Sequence, residues 1–111
     1  MKTKLVVNDN LKPYLYEERE RSNLFPEYED VLKRLGKDTF NWQWRFIFDN
    51  KYGASVIKFF ASSGFDEDLF ELAVTYNNEL TDEIYGYLSN DEVIEILYKI
   101  KDLKGEKENE N

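Results

Sequence analysis

The chain has 111 residues, one domain by length, with 41% hydrophobic and 16% aromatic side chains, enough for a core, and a net charge of −8. It contains neither cysteine nor histidine. Disulfides, thiolate nucleophiles, cysteine- or histidine-built metal sites and a Ser-His-Asp triad within this chain are therefore excluded.

The charge is uneven. Residues 1–61 carry 11 basic and 9 acidic side chains, whereas residues 62–111 carry 4 and 14. So acidic a half disfavours DNA, RNA and anionic membrane, and suits a basic partner protein. The same acidity would also serve as a solubilising surface.

In chain order, Lys2 and Lys4 precede a short apolar run, Leu5-Val6-Val7, which ends at Asn8. A signal peptide or a membrane span needs a longer run, so the expected compartment is the cytoplasm. Lys4 to Val7 could form a short edge strand. Asn8-Asp9-Asn10 is a turn signal. Leu11 to Arg21 reads either as a helix capped by Asn10 with Pro13 in its first turn, or as a solvated loop. A clearer helix runs from Pro26 to Leu35. Tyr28, Val31, Leu32 and Leu35 recur at helical spacing, with acids early, bases late and Gly36 at the C-terminal cap position.

The first strand spans Phe40 to Asp49. Trp42, Trp44, Phe46 and Phe48 stand at every second position and so share one face. Asn50-Lys51-Tyr52-Gly53 reads as a turn, with Gly53 available for a positive φ. A second strand, Ala54 to Ala61, places Ala54, Val56, Lys58 and Phe60 on one face. A polar loop, Ser62 to Asp68, precedes a third strand, Leu69 to Tyr76. Asn77-Asn78 is a hairpin turn, and Glu79 to Leu88 a fourth short strand or loop.

The last element is a helix. Ser89 and Glu92 are spaced for a capping box, with Leu88 and Val93 at the staple positions. Val93, Ile96, Leu97, Ile100 and Leu103 form its apolar stripe, and Gly105 ends it. The predicted fold class is α+β, a three- to four-stranded antiparallel meander with a C-terminal amphipathic helix packed on one face. Residues 1–38 form an N-terminal helical extension, residues 39–105 the sheet and helix, and residues 106–111 a polar tail with nothing to bury.

The fragments Trp44-Arg45-Phe46, Asn50 to Val56, Glu71-Leu72-Ala73-Val74, and Thr81 to Ser89 followed by Glu92-Val93 resemble a group of small bacteriophage- and prophage-encoded proteins. The resemblance spans residues 42–103. It implies a phage context and host-cell cytoplasm. It carries over no activity and no functional residues.

Candidate sites are few. Asp66-Glu67-Asp68 with Glu71 lacks the alternating ligands and central glycine of a calcium loop. Asp82-Glu83 is an acidic pair of the kind expected by chance in so acidic a chain. The four aromatics of the first strand could stack bases, but only Arg45 and Lys58 lie near them, so core packing is the better account. No catalytic residue, cofactor or metal is expected. The candidate partner-binding residues are Asp66, Glu67, Asp68, Tyr85, Tyr87, Asp91, Glu95 and Asp102, the tyrosines as anchors and the acids as a docking surface.

The expected function is thus a non-enzymatic acidic interaction protein facing a basic host protein, in the manner of anti-CRISPR and other DNA-mimic inhibitors. The alternatives are a protein that sequesters a nucleotide signal in a pocket with Arg45 at its base, and a virion subunit that self-associates.

Overall fold

The computed structural model describes residues 2–22, 25 and 27–104. The fold is α+β. Five strands, β1 (Leu15–Glu20), β2 (Asn41–Ile47), β3 (Tyr52–Phe59), β4 (Phe70–Tyr76) and β5 (Glu79–Leu88), form one antiparallel meander in sequence order. Helix α1 (Glu27–Arg34) interrupts the connection from β1 to β2, and α2 (Asn90–Lys101) closes the chain. The sheet therefore has five strands rather than three or four.

The additional strand, β1, falls on the segment expected to be helix or loop. Its polar side chains find partners that exist only in the assembled sheet. Glu18 accepts a 2.9 Å hydrogen bond from the Trp44 indole, and Arg19 donates to Gln43 at 3.0 Å. Tertiary pairing overrides a weak local preference for helix. Conversely, Lys4 to Val7 is not a strand. It is an extended strap along α2, where the Asn90 side-chain amide occupies both Val6 backbone groups, at 2.8 and 3.0 Å.

The inner face of the sheet is the core. Trp44, Phe46 and Phe48 lie buried against Val56, Phe70, Leu72 and Val74, and Val93, Leu97 and Ile100 of α2 pack over them. Leu5 and Val7 of the strap and Leu11 in the turn that follows join the same cluster. The expected union of aromatic face and helix stripe is thus present, except that Leu103 is exposed.

Local signals hold at the helix ends. Ser89 and Glu92 form the reciprocal capping box. Gly36, with φ of 71°, ends α1 in a paired closure, Lys37 N–H to Leu32 and Gly36 N–H to Lys33. Pro26, Gly105 and the tail, 106–111, lie outside the described residues. In the first hairpin the positive φ belongs to Lys51, at 73°, not to Gly53. Gly53 is inside β3, and is needed there because a Cβ would collide with the Phe46 carbonyl oxygen and come within 2.9 Å of Thr75 Oγ1. Asn77 and Asn78, both at positive φ, make the two-residue hairpin turn between β4 and β5.

Candidate interaction edge

The two borders of the sheet differ. β1 is short and carries Glu17, Glu18, Arg19 and Glu20, charges that discourage edge-to-edge pairing. β5 is ten residues long and exposes Leu80, Ile84, Tyr85 and Tyr87 beside the carboxylates Glu79, Asp82 and Glu83. Its register against β4 shifts twice, between Phe70 and Leu72 and between Ala73 and Thr75. These bulges bend the edge, and Tyr87 takes a positive φ of 57° in the first of them. Tyr85 and Tyr87, in the segment expected as a fourth short strand or loop, belong to an edge strand.

A cleft of about 480 Å³ lies between β5 and α2. Buried Val74 and Ile100 with half-buried Ile96 make its floor, and Tyr52, Tyr76 and Tyr85 its aromatic walls. Tyr52 and Tyr76 are cross-strand partners whose rings meet edge-to-face at 4.7 Å. Glu83 and Lys99 stand exposed at the mouth. The Tyr85 hydroxyl donates to Glu83 Oε2 at 2.8 Å. That hydrogen bond and the adjacent negative charge raise the Tyr85 pKa above its ordinary value. Lys99 is drawn outward by Glu95, 3.5 Å away.

The other candidate residues fall in three places. Asp91, Glu95 and Asp102 are exposed on α2 and its C-terminal cap, with Asp91 and Glu95 one turn apart. Asp66 and Glu67 lie in a short 3-10 turn, Phe65–Glu67, and border a polar hollow that Tyr87 also lines. Asp68 is engaged internally. Its carboxylate accepts from the Thr3 amide and hydroxyl, both at 2.9 Å, and from Lys58 at 2.6 Å.

Lys58 is fully buried. It also donates to the Thr3 and Asp68 carbonyls at 2.8 and 3.1 Å, and lies 3.8 Å from the centre of the Phe70 ring. Burial pushes the Lys58 ammonium pKa down, against the hydrogen bond and charge of Asp68. For Asp68, burial works to raise the pKa, but the hydrogen bonds from Lys58 and Thr3 outweigh it and hold the carboxyl below its usual range. This clasp ties the strap to β3 and to the loop before β4.

Arg45 lies on the open outer face of the sheet. It donates to Asn78 at 2.7 Å and sits 5.5 Å from the Tyr16 ring centre, so it is not at the base of the cleft. Among the described residues no three acidic side chains converge to hold a metal ion. No described helix is long and apolar enough to cross a membrane.

Sequence reasoning passed over Tyr52, Tyr76 and Glu83 as a group. The available signal was register: pairing β3 with β4 across the Ser62 to Asp68 loop brings the two tyrosines together, but only a known strand alignment turns that spacing into a wall. No known protein family, curated protein or solved structure matches this chain.

Proposed function

We propose that the protein is a non-enzymatic interaction protein that docks on a basic protein through the β5 edge and the neighbouring outer face of α2. One observation carries this reading: β5 presents Glu79, Asp82 and Glu83 among exposed Leu80, Ile84, Tyr85 and Tyr87. Carboxylates accelerate encounter with a positively charged surface, and tyrosines supply contact area once it is reached. Asp91 and Glu95 of α2 extend the same negative field. An edge of this sign repels phosphate backbones, so the partner is a protein rather than a nucleic acid. The phage resemblance makes that partner a host protein that itself binds nucleic acid, and the docking an inhibition.

Affinity capture from host lysate, with and without nuclease, tests this reading. A partner that survives nuclease treatment and is released by salt supports it. Capture that disappears with nuclease, or that is indifferent to salt, overturns it, and self-association in the same experiment would favour the virion-subunit reading.

A further inference from the structure

We infer that the cleft between β5 and α2 receives the side chain of an arginine presented by the basic partner. This rests on the docking reading above and names the contact that would anchor it. The cleft combines three features that suit a guanidinium and few other groups. Its walls are tyrosine rings, on which a flat cation stacks favourably. Its floor, Val74, Ile96 and Ile100, is apolar and matches a methylene stem. Its mouth holds Glu83, of which one oxygen, Oε2, accepts from Tyr85. The other oxygen can accept from a guanidinium N–H, and the Tyr85 hydroxyl oxygen retains a free acceptor site alongside.

The volume, about 480 Å³, lies within the usual range of small-molecule sites, roughly 300–1,000 Å³. An anionic occupant would have Lys99 as its one cation in the lining, already paired with Glu95, and would face Glu83 directly. A purely apolar occupant would make no use of the Glu83 carboxylate at the mouth. Asp82 and Glu79, exposed on the same strand, add charge complementarity for a basic segment.

The test uses the full chain and two short peptides, acetyl-Ser-Arg-Ser-Arg-Ser-amide and its counterpart with citrulline at both arginines. Citrulline keeps the shape and removes the charge. By calorimetry at low salt, the arginine peptide binds and the citrulline peptide binds at least about tenfold more weakly, the scale of one charge-assisted hydrogen bond. Amide resonances of Val74, Tyr76, Tyr85 and Ile100 shift on addition of the arginine peptide. Glu83→Gln weakens binding about tenfold, the same scale. Tyr85→Ala weakens it similarly and Tyr85→Phe only slightly, because the ring is retained. Both positions are exposed, so the variants keep the fold, which a thermal melt checks.

No binding of the arginine peptide, equal affinity for the citrulline peptide, or resonance shifts confined to Asp91 and Glu95 would overturn the inference. A captured protein partner that binds Glu83→Gln and Tyr85→Ala as tightly as the parent chain would overturn it and leave the docking reading standing. Arginine binding in the cleft without any salt-sensitive protein partner would do the reverse.

Discussion

The Lys58–Asp68 clasp sets an asymmetry that single substitutions should reveal. The Lys58 side chain is fully buried, whereas that of Asp68 is 31% exposed. Removing the carboxylate with Asp68→Asn leaves the buried ammonium only neutral partners, the Thr3 and Asp68 carbonyls, at a cost of about 3 kcal/mol, the lower end for breaking a buried pair. Lys58→Met leaves a carboxylate that water and Thr3 still reach, and should cost less, about 1–2 kcal/mol. Urea titrations of both variants would check the order, and equal losses would refute it. The clasp also predicts acid sensitivity. The folded Asp68 pKa lies below its ordinary 3.8, so its contribution is fully present above that value and is lost as pH falls through the lower folded one. A variant lacking both partners should lose less stability between pH 6 and pH 3 than the parent chain does. In the core, Trp44 is buried and its indole is satisfied by Glu18, so Trp44→Ala should cost about 3–5 kcal/mol. Ile96→Ala, at the floor of the open cleft, should cost less. A melt showing little loss at Trp44 would place that face outside the core.

At the scale of elements, α2 is fastened at both ends by different means. Its N-terminus is closed locally by Ser89 and Glu92. The hydrogen bonds of Ser89 to the Glu92 carboxylate lower its pKa. Its C-terminus is closed from a distance. The Asn50 side-chain NH2, in the turn between β2 and β3, donates to the carbonyls of Ile100, Lys101 and Leu103 at 2.9, 3.1 and 2.7 Å. These carbonyls cluster at the negative end of the helix dipole, where a donor is favourable. Ser89→Ala should cost about 0.5–2 kcal/mol, as other cap losses do. Asn50→Asp should be worse than Asn50→Ala, because it sets an anion against carbonyl oxygens instead of merely removing the donor. Thermal unfolding of the three variants reads this directly; an aspartate variant as stable as the alanine one would mean that the turn does not cap the helix.

For the whole molecule, the acidic half and the β5 edge would act together in the proposed docking. Replacing Asp91, Glu95 and Asp102 jointly by Asn, Gln and Asn should leave the melting temperature nearly unchanged, since exposed ion pairs contribute only about 0–1 kcal/mol each. It should slow association with the captured partner, and the slowing should shrink as salt rises, because a Debye length of about 8 Å at physiological ionic strength screens such charges. Stopped-flow or surface-binding rates at two salt concentrations measure this. An unchanged association rate would reduce the acidity to a solubility device.

What the residues determined by themselves were features written in short range. The β2, β3 and β4 alternation, the Asn77-Asn78 turn, the capping box and the α2 stripe each depend on neighbours within a few positions, where side-chain period and backbone geometry decide. The same local logic placed α1 and its Gly36 cap. Tertiary structure alone decided the rest. Leu15–Glu20 became a strand because Glu18 and Arg19 meet Trp44 and Gln43, about 25 residues further along. Lys58 entered the core because Thr3 and Asp68, far apart in the chain, meet beside it. The aromatic wall of the cleft exists because Tyr52 and Tyr76 fall into register between β3 and β4. In each case the energy comes from a pair of groups distant in the chain. The full set of partners never falls within one helical or strand period, so no local pattern could announce them.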